Sequence, residues 1–225
     1  MTRRRVSNLL ALAVLACLTE KPMHPYEIST TLRTRGKEKS IKLNYGSLYA
    51  VVESLQKHGL ITARETTREG RRPERTVYEI TAAGVDEFED WLAELLSTPA
   101  RDFTSLEAGL SLMPGLPPDE VARLLDDRAV RLRSEVRAVD AELAESAAMH
   151  LPELFVVEST YRRHMLQAEL AFVTELAESI RSSAFPGTKT WRRLHELVAG
   201  GTSFEEISAD PVGYLGEEGA ALKPQ

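Results

Sequence analysis

Three arginines crowd one glycine-containing turn, Arg68-Glu69-Gly70-Arg71-Arg72-Pro73. Like charges this close repel one another unless a polyanion lies against them, so the chemistry on offer is phosphate contact rather than catalysis. A second cluster lies upstream. Asn44, Tyr45, Ser47 and Tyr49 gather at the start of a segment in which Leu48, Val51, Val52 and Leu55 recur at helical spacing. Opposite that apolar stripe stand Gly46 and Ala50, small residues that permit close approach to a groove, and polar side chains at a helix start reach base edges or phosphates. The competing reading is that Tyr45 and Tyr49 complete the core. Lys42 and Arg75 flank the two clusters; Arg35, Lys37 and Lys39 are weaker cations of the same kind, and Arg3 to Arg5 form a candidate arm.

The charge distribution supports a polyanionic partner for the first part of the chain alone. Residues 1–85 carry 15 Lys/Arg against 8 Asp/Glu, and residues 86–225 carry 13 against 26, so a net charge of −6 divides into +7 and −13. Phosphate neutralisation by Lys and Arg supplies most non-specific affinity for nucleic acid, which assigns duplex contact to the basic segment and turns the acidic one away from it.

Other chemistries find little footing. There is no phosphate-loop glycine pattern, no GxSxG, no HExxH and no zinc-ligand spacing, so no enzyme, metal or cofactor is expected. His150 and His164 read as surface or interface residues. The single cysteine, Cys17, reads as a small core side chain, and the lack of a cysteine pair favours a reducing, cytoplasmic setting. Arg3 to Arg5 followed by the apolar run from Leu9 to Leu18 also resembles a cleaved leader. That reading is disfavoured, because Leu15 fits poorly before a cleavage point at Cys17 and cleavage would remove a helix the fold needs. No stretch is long and apolar enough to span a bilayer.

The elements that must position the two clusters follow from periodicity. Residues 6–18 are apolar nearly all round, as in a buried helix. Residues 24–35 form a short amphipathic second helix ended by Gly36, and the third runs from its N-cap Asn44 to His58, with Gly59 as a left-handed cap. Residues 60–65 and 75–81 are rich in Ile, Thr, Val and Tyr and flank the arginine turn, which makes a hairpin. Three helices and a hairpin with a basic tip is the order of a winged helix-turn-helix, whose third helix enters the major groove while the hairpin follows the backbone. Thr81 caps a fourth helix, ended by Pro99, with Phe88 and Trp91 on its apolar side.

Two long helices come next, over 119–148 and 154–182. The second bears Tyr161, Met165, Ala168, Phe172, Leu176 and Ile180 in one row and Leu166, Leu170 and Val173 in another. Faces this broad require a second copy of the chain, or closure with the fourth helix. Beyond them, Trp191, Leu194, Leu197 and Val198 predict a short helix and Ser203 with Glu206 a capping box, while the Gly/Pro-rich tail reads as disordered. The expected organisation is a mainly helical protein with a DNA-binding domain over 1–84, a helical dimerisation domain over 85–185 and an extension over 186–225.

Several motifs together resemble the PadR family of bacterial transcriptional regulators: Tyr26-Glu27-Ile28, Gly46-Ser47-Leu48-Tyr49, Leu55-Gln56-Lys57-His58-Gly59-Leu60-Ile61, Gly70-Arg71-Arg72, and Tyr78-Glu79-Ile80-Thr81-Ala82-Ala83-Gly84 with Trp91. The resemblance covers about residues 6–96, with a weaker likeness of 102–182 to the family's helical dimerisation domain. It implies a homodimer on an operator in double-stranded DNA, usually a repressor, often released by a small-molecule effector. Tyr26 joins the DNA-contact candidates on this ground, and a pocket between Phe88, Trp91 and the long helices is the expected effector site. Pro25 departs from the glycine often found before the tyrosine, and residues 186–225 extend past the usual end. A winged helix used as a protein-interaction module is the rival expectation.

Overall fold

The computed structural model describes residues 8–41, 45–67 and 75–222. It is mainly helical with one small sheet, and it divides into two compact units, Met1–Arg101 and Asp102–Gln225.

In the first unit the all-round apolar segment is α1 (Leu9–Glu20), and Asn8 caps it by accepting the Leu10 N–H at 2.9 Å. Leu10, Val14, Leu15 and Cys17 are all but inaccessible, so α1 is the axis of the core. α2 (Pro25–Thr34) begins at His24, whose Nδ1 accepts the Tyr26 N–H at 3.1 Å while the His24 N–H donates to Glu27 at 2.9 Å. Pro25 occupies the first helical position, where its missing N–H costs nothing, so the departure from glycine suits the helix start. α3 (Tyr45–Lys57) buries Leu48, Val51, Val52 and Leu55 against α1 and α2. It ends at Gly59 (φ 73°), and the Leu60 N–H returns to the Leu55 carbonyl at 3.0 Å.

β1 (Ile61–Thr67) and β2 (Arg75–Ile80) pair antiparallel, Ile61 opposite Ile80, with an irregularity between Ala63 and Glu65. Met23 exchanges two backbone hydrogen bonds of 3.0 Å with Tyr78, which ties the α1–α2 turn to the sheet. Thr81 then caps α4 (Ala82–Ser97) by accepting the Gly84 N–H at 3.1 Å, and its hydroxyl donates to the Gly59 carbonyl at 2.7 Å. α4 lies against α1 and seats Trp91 in the same core, within a compact unit that runs to Arg101.

The second unit opens with a helix that periodicity had not revealed, α5 (Ser105–Leu112), capped by Thr104. Its eight residues are too few to show a convincing stripe. α6 (Pro118–Ala148) and α7 (Val157–Arg181) form an antiparallel pair. Its register is marked by ion pairs from Asp126 to Arg181, Arg128 to Glu169, Asp140 to Arg163 and Glu142 to Arg162. Of the two rows on α7, the inner one is Leu166, Leu170 and Val173. Tyr161, Met165 and Phe172 of the other row face outward and are half or more exposed.

The C-terminal segment is not a separate appendage. α8 (Thr188–Ala199) sends Trp191 into the α6–α7 core, and the indole N–H donates to the carbonyls of Leu116 (2.9 Å) and Pro114 (3.3 Å). Arg192 reaches Asp119 at 2.7 Å. The Ser203–Glu206 capping box starts α9 (Phe204–Ala209), as the spacing implies. The tail read as disordered is ordered as far as described. Pro211 opens α10 (Pro211–Leu215), Asp210 accepts the Gly213 N–H at 3.0 Å, and a 3-10 turn follows over Glu217–Leu222. Gly219 explains the close packing there, because a Cβ would stand 2.2 Å from the Pro211 carbonyl oxygen.

Candidate nucleic-acid interface

α3 has two chemically distinct sides. The inner side holds Leu48 at 3% and Leu55 at 0% exposure; the outer side leaves Tyr49 at 53%, with Gly46, Ala50, Glu53 and Gln56 also exposed. Tyr49 therefore does not complete the core. An aromatic ring and a phenol held in water on a rigid helix, beside a glycine and an alanine, form a surface that a groove wall can meet closely. Ser47 is half-buried at the edge of this side. Tyr26 is exposed by 63% in the first turn of α2, which packs on α3, so its phenol is also available.

The remaining candidates are less fully described. Lys42, Asn44, Arg68, Arg71 and Arg72 lie outside the described residues, as do Arg3 to Arg5. Tyr45 opens α3 and Arg75 opens β2, opposite Thr67, but their side chains and that of Lys39 are outside the description. Arg35 is otherwise engaged. Its guanidinium forks onto Glu20, one hydrogen bond at 2.8 Å, and pins the end of α1 to the end of α2. The hydrogen bond from Arg35 holds the Glu20 carboxyl below its ordinary range and raises the guanidinium in turn. Both groups are half exposed, so the pair contributes well under 1 kcal/mol. Arg64, which sequence reasoning passed over, sits on β1 across from Glu79 at 3.8 Å and is 59% exposed. Strand alternation could have flagged it as an outward residue.

Phe88 and Trp91, the residues expected to line an effector pocket, both lie in the first unit. Trp91 is 4% exposed inside the core of the first unit, and Phe88 lies partly buried against that same core. Cys17 is likewise enclosed; burial pushes its thiol up to about 11, which leaves it unreactive near neutrality. Among the described residues no group of His, Cys, Asp and Glu could hold a metal ion, and no helix is long and apolar enough to cross a membrane.

Three helices, a two-stranded hairpin and an exposed face on the third helix define a winged helix-turn-helix. Residues 14–90 match the family model described as "Transcriptional regulator PadR-like family". Solved structures share the fold over more of the chain. PadR of Bacillus subtilis in complex with operator DNA is 18% identical, covering 74% of this chain and 99% of its own, at a TM-score of 0.53. The same protein in complex with p-coumaric acid is 16% identical over 74% of this chain and 99% of its own, also at 0.53. The Vibrio cholerae virulence activator AphA is 16% identical over 77% and 99%, with a TM-score of 0.58. No curated protein sequence matches the chain.

Proposed function

We propose that this protein is a sequence-specific DNA-binding regulator of transcription, acting in the cytoplasm as a homodimer. Two copies of α3 enter successive major-groove faces of a pseudo-palindromic operator, about 34 Å or a multiple apart. The observation that carries this reading is the outward face of α3, where Tyr49 is 53% exposed although the other side of the same helix is fully buried. Ser47, Tyr49, Asn44 and Tyr45 read base edges. Tyr26, Lys42, Arg71, Arg72 and Arg75 hold the phosphate backbone. Dimerisation is supported by the row Val157, Tyr161, Met165 and Phe172 on α7, each half or more exposed, an apolar stripe of the kind that a second copy covers. Repression, relieved by a small effector, is the mode of action we assign; that the Bacillus protein of similar fold forms complexes with operator DNA and with p-coumaric acid supports a DNA partner and a small-molecule ligand.

The test is fluorescence anisotropy of the full chain against genomic fragments that it retains. Affinity should fall by roughly a thousandfold or more between 50 and 200 mM salt if six or more phosphates are contacted. Arg71→Ala with Arg72→Ala should weaken all duplexes alike, whereas Ser47→Ala or Asn44→Ala should change discrimination between operators. Indifference to every duplex in dilute buffer would overturn the reading and leave the interaction-module alternative.

A further inference from the structure

A cleft of about 660 Å³ opens in the second unit between α5, the turn over Met113–Gly115 and the first half of α6. We infer that it is a binding site for an aliphatic monocarboxylate of medium chain length. The volume falls within the roughly 300–1,000 Å³ typical of small-molecule sites. Its wall is built from Leu106, Leu110, Met113, Leu125 and Leu132 and includes no aromatic ring, hydroxyl or amide, so it suits a flexible hydrocarbon tail rather than a ring that needs hydrogen-bonding partners.

Four charged side chains also line it, and two of them are committed. Asp127 accepts from Arg123 at 2.8 Å, and Arg128 is held by Glu169 at 2.6 Å. Arg131 and Glu135 make no hydrogen bond or ion pair among the described residues. The Arg131 guanidinium offers the planar fork that fits a carboxylate, whereas Glu135, one helical turn further, opposes an anion and keeps the affinity moderate.

Two further features point to an occupant. Gly109 sits inside α5 and lines the cleft, yet a Cβ added there would meet nothing within 4 Å. A helix-interior glycine disfavours the helix by about 1 kcal/mol relative to alanine, and no close approach of protein atoms or left-handed backbone requires one here. What it does provide is unobstructed space in front of α5. The second feature is the clasp from α8. Trp191 donates to the Pro114 and Leu116 carbonyls, and a His195 ring nitrogen lies 2.9 Å from the Pro114 carbonyl, so the end wall of the cleft is fixed from behind rather than free to collapse.

Binding is read on the protein without DNA, so its outcome is separate from that of the duplex experiment; only a regulatory use of the ligand rests on the proposed function. Calorimetric titration of the full chain with sodium octanoate, 1-octanol and octylammonium tests the site. Octanoate should bind, with octanol and octylammonium each about tenfold weaker or worse. Arg131→Gln should weaken octanoate by about tenfold and Glu135→Gln should strengthen it two- to threefold, roughly the scale of one exposed charge interaction. Gly109→Trp should fill the cleft and abolish binding, with helicity and unfolding transition checked by circular dichroism; should that variant fail to fold, the opposed shifts of the two charge variants decide. Absence of octanoate binding, equal binding of octylammonium, or binding indifferent to Arg131→Gln would overturn the inference. So would a Gly109→Trp protein whose oligomeric state changes, which would make the cleft a contact between copies.

Discussion

The two units bury their apolar residues to different degrees. In the first, α1 is wrapped by α2, α3, the hairpin and α4, and the large side chains left outside the core are few, with Leu96, Tyr26 and Tyr49 the most exposed among them. In the second, one long helix pair satisfies itself along a single seam and leaves Tyr161, Met165, Phe172, Leu112 and Phe103 at 50% exposure or more. A domain that closes its own core can present isolated aromatics for recognition. A two-helix layer cannot cover both sides of its helices, so an apolar row stays exposed on α7. The proposed function gives contact with another molecule type to the first unit and self-association to the second.

The sharpest way to break the first unit is at Gly84, where a Cβ would fall 2.0 Å from the Leu60 carbonyl oxygen. That oxygen already accepts the Thr81 N–H at 3.0 Å, so it cannot move aside without loosening the hairpin–α4 junction. Gly84→Ala should cost on the order of 3 kcal/mol or more in denaturant unfolding of the first unit, a value typical of severe backbone conflict.

Next in size, Phe172→Asp should raise the dimer dissociation constant by about a hundredfold in sedimentation experiments while leaving the unfolding of the first unit unchanged, since a charge would replace an apolar contact at the interface. An unchanged dimer would erase the distinction drawn between the units. Trp191→Phe should cost the second unit about 1 kcal/mol, because the Leu116 carbonyl loses its indole donor. The weakest effect is expected at the Glu20–Arg35 pair. The folded-state carboxyl lies below its ordinary value of 4.5, so its contribution is fully present above that pH and is lost as pH falls through the lowered value. Glu20→Gln should remove at most about 0.5 kcal/mol, and only on the neutral side of that window, in thermal melts at paired pH values.

Much of the fold was legible before any coordinates. The Leu48–Val51–Leu55 period, Gly59 as a left-handed cap, Thr81 as N-cap and the Ser203–Glu206 box are local signals, each set by a few neighbouring residues, and each stands where it was expected. The candidate site was legible in part. Spacing placed Tyr49 on the rim of α3 but could not choose between a core role and an exposed one, since burial depends on what α1 and α2 leave uncovered. α5 escaped notice because eight residues carry too little periodicity.

By itself, then, the sequence determined the order of the elements, their caps and the division of charge, because backbone hydrogen bonding and side-chain period act over a few residues at a time. Tertiary structure alone decided that α4 and Trp91 close the first core, that the Tyr161–Phe172 row of α7 faces water, and that the C-terminal helices clasp the turn before α6. Those outcomes turn on which surfaces meet across tens of residues, and a residue cannot carry that information until the chain has brought its neighbours to it.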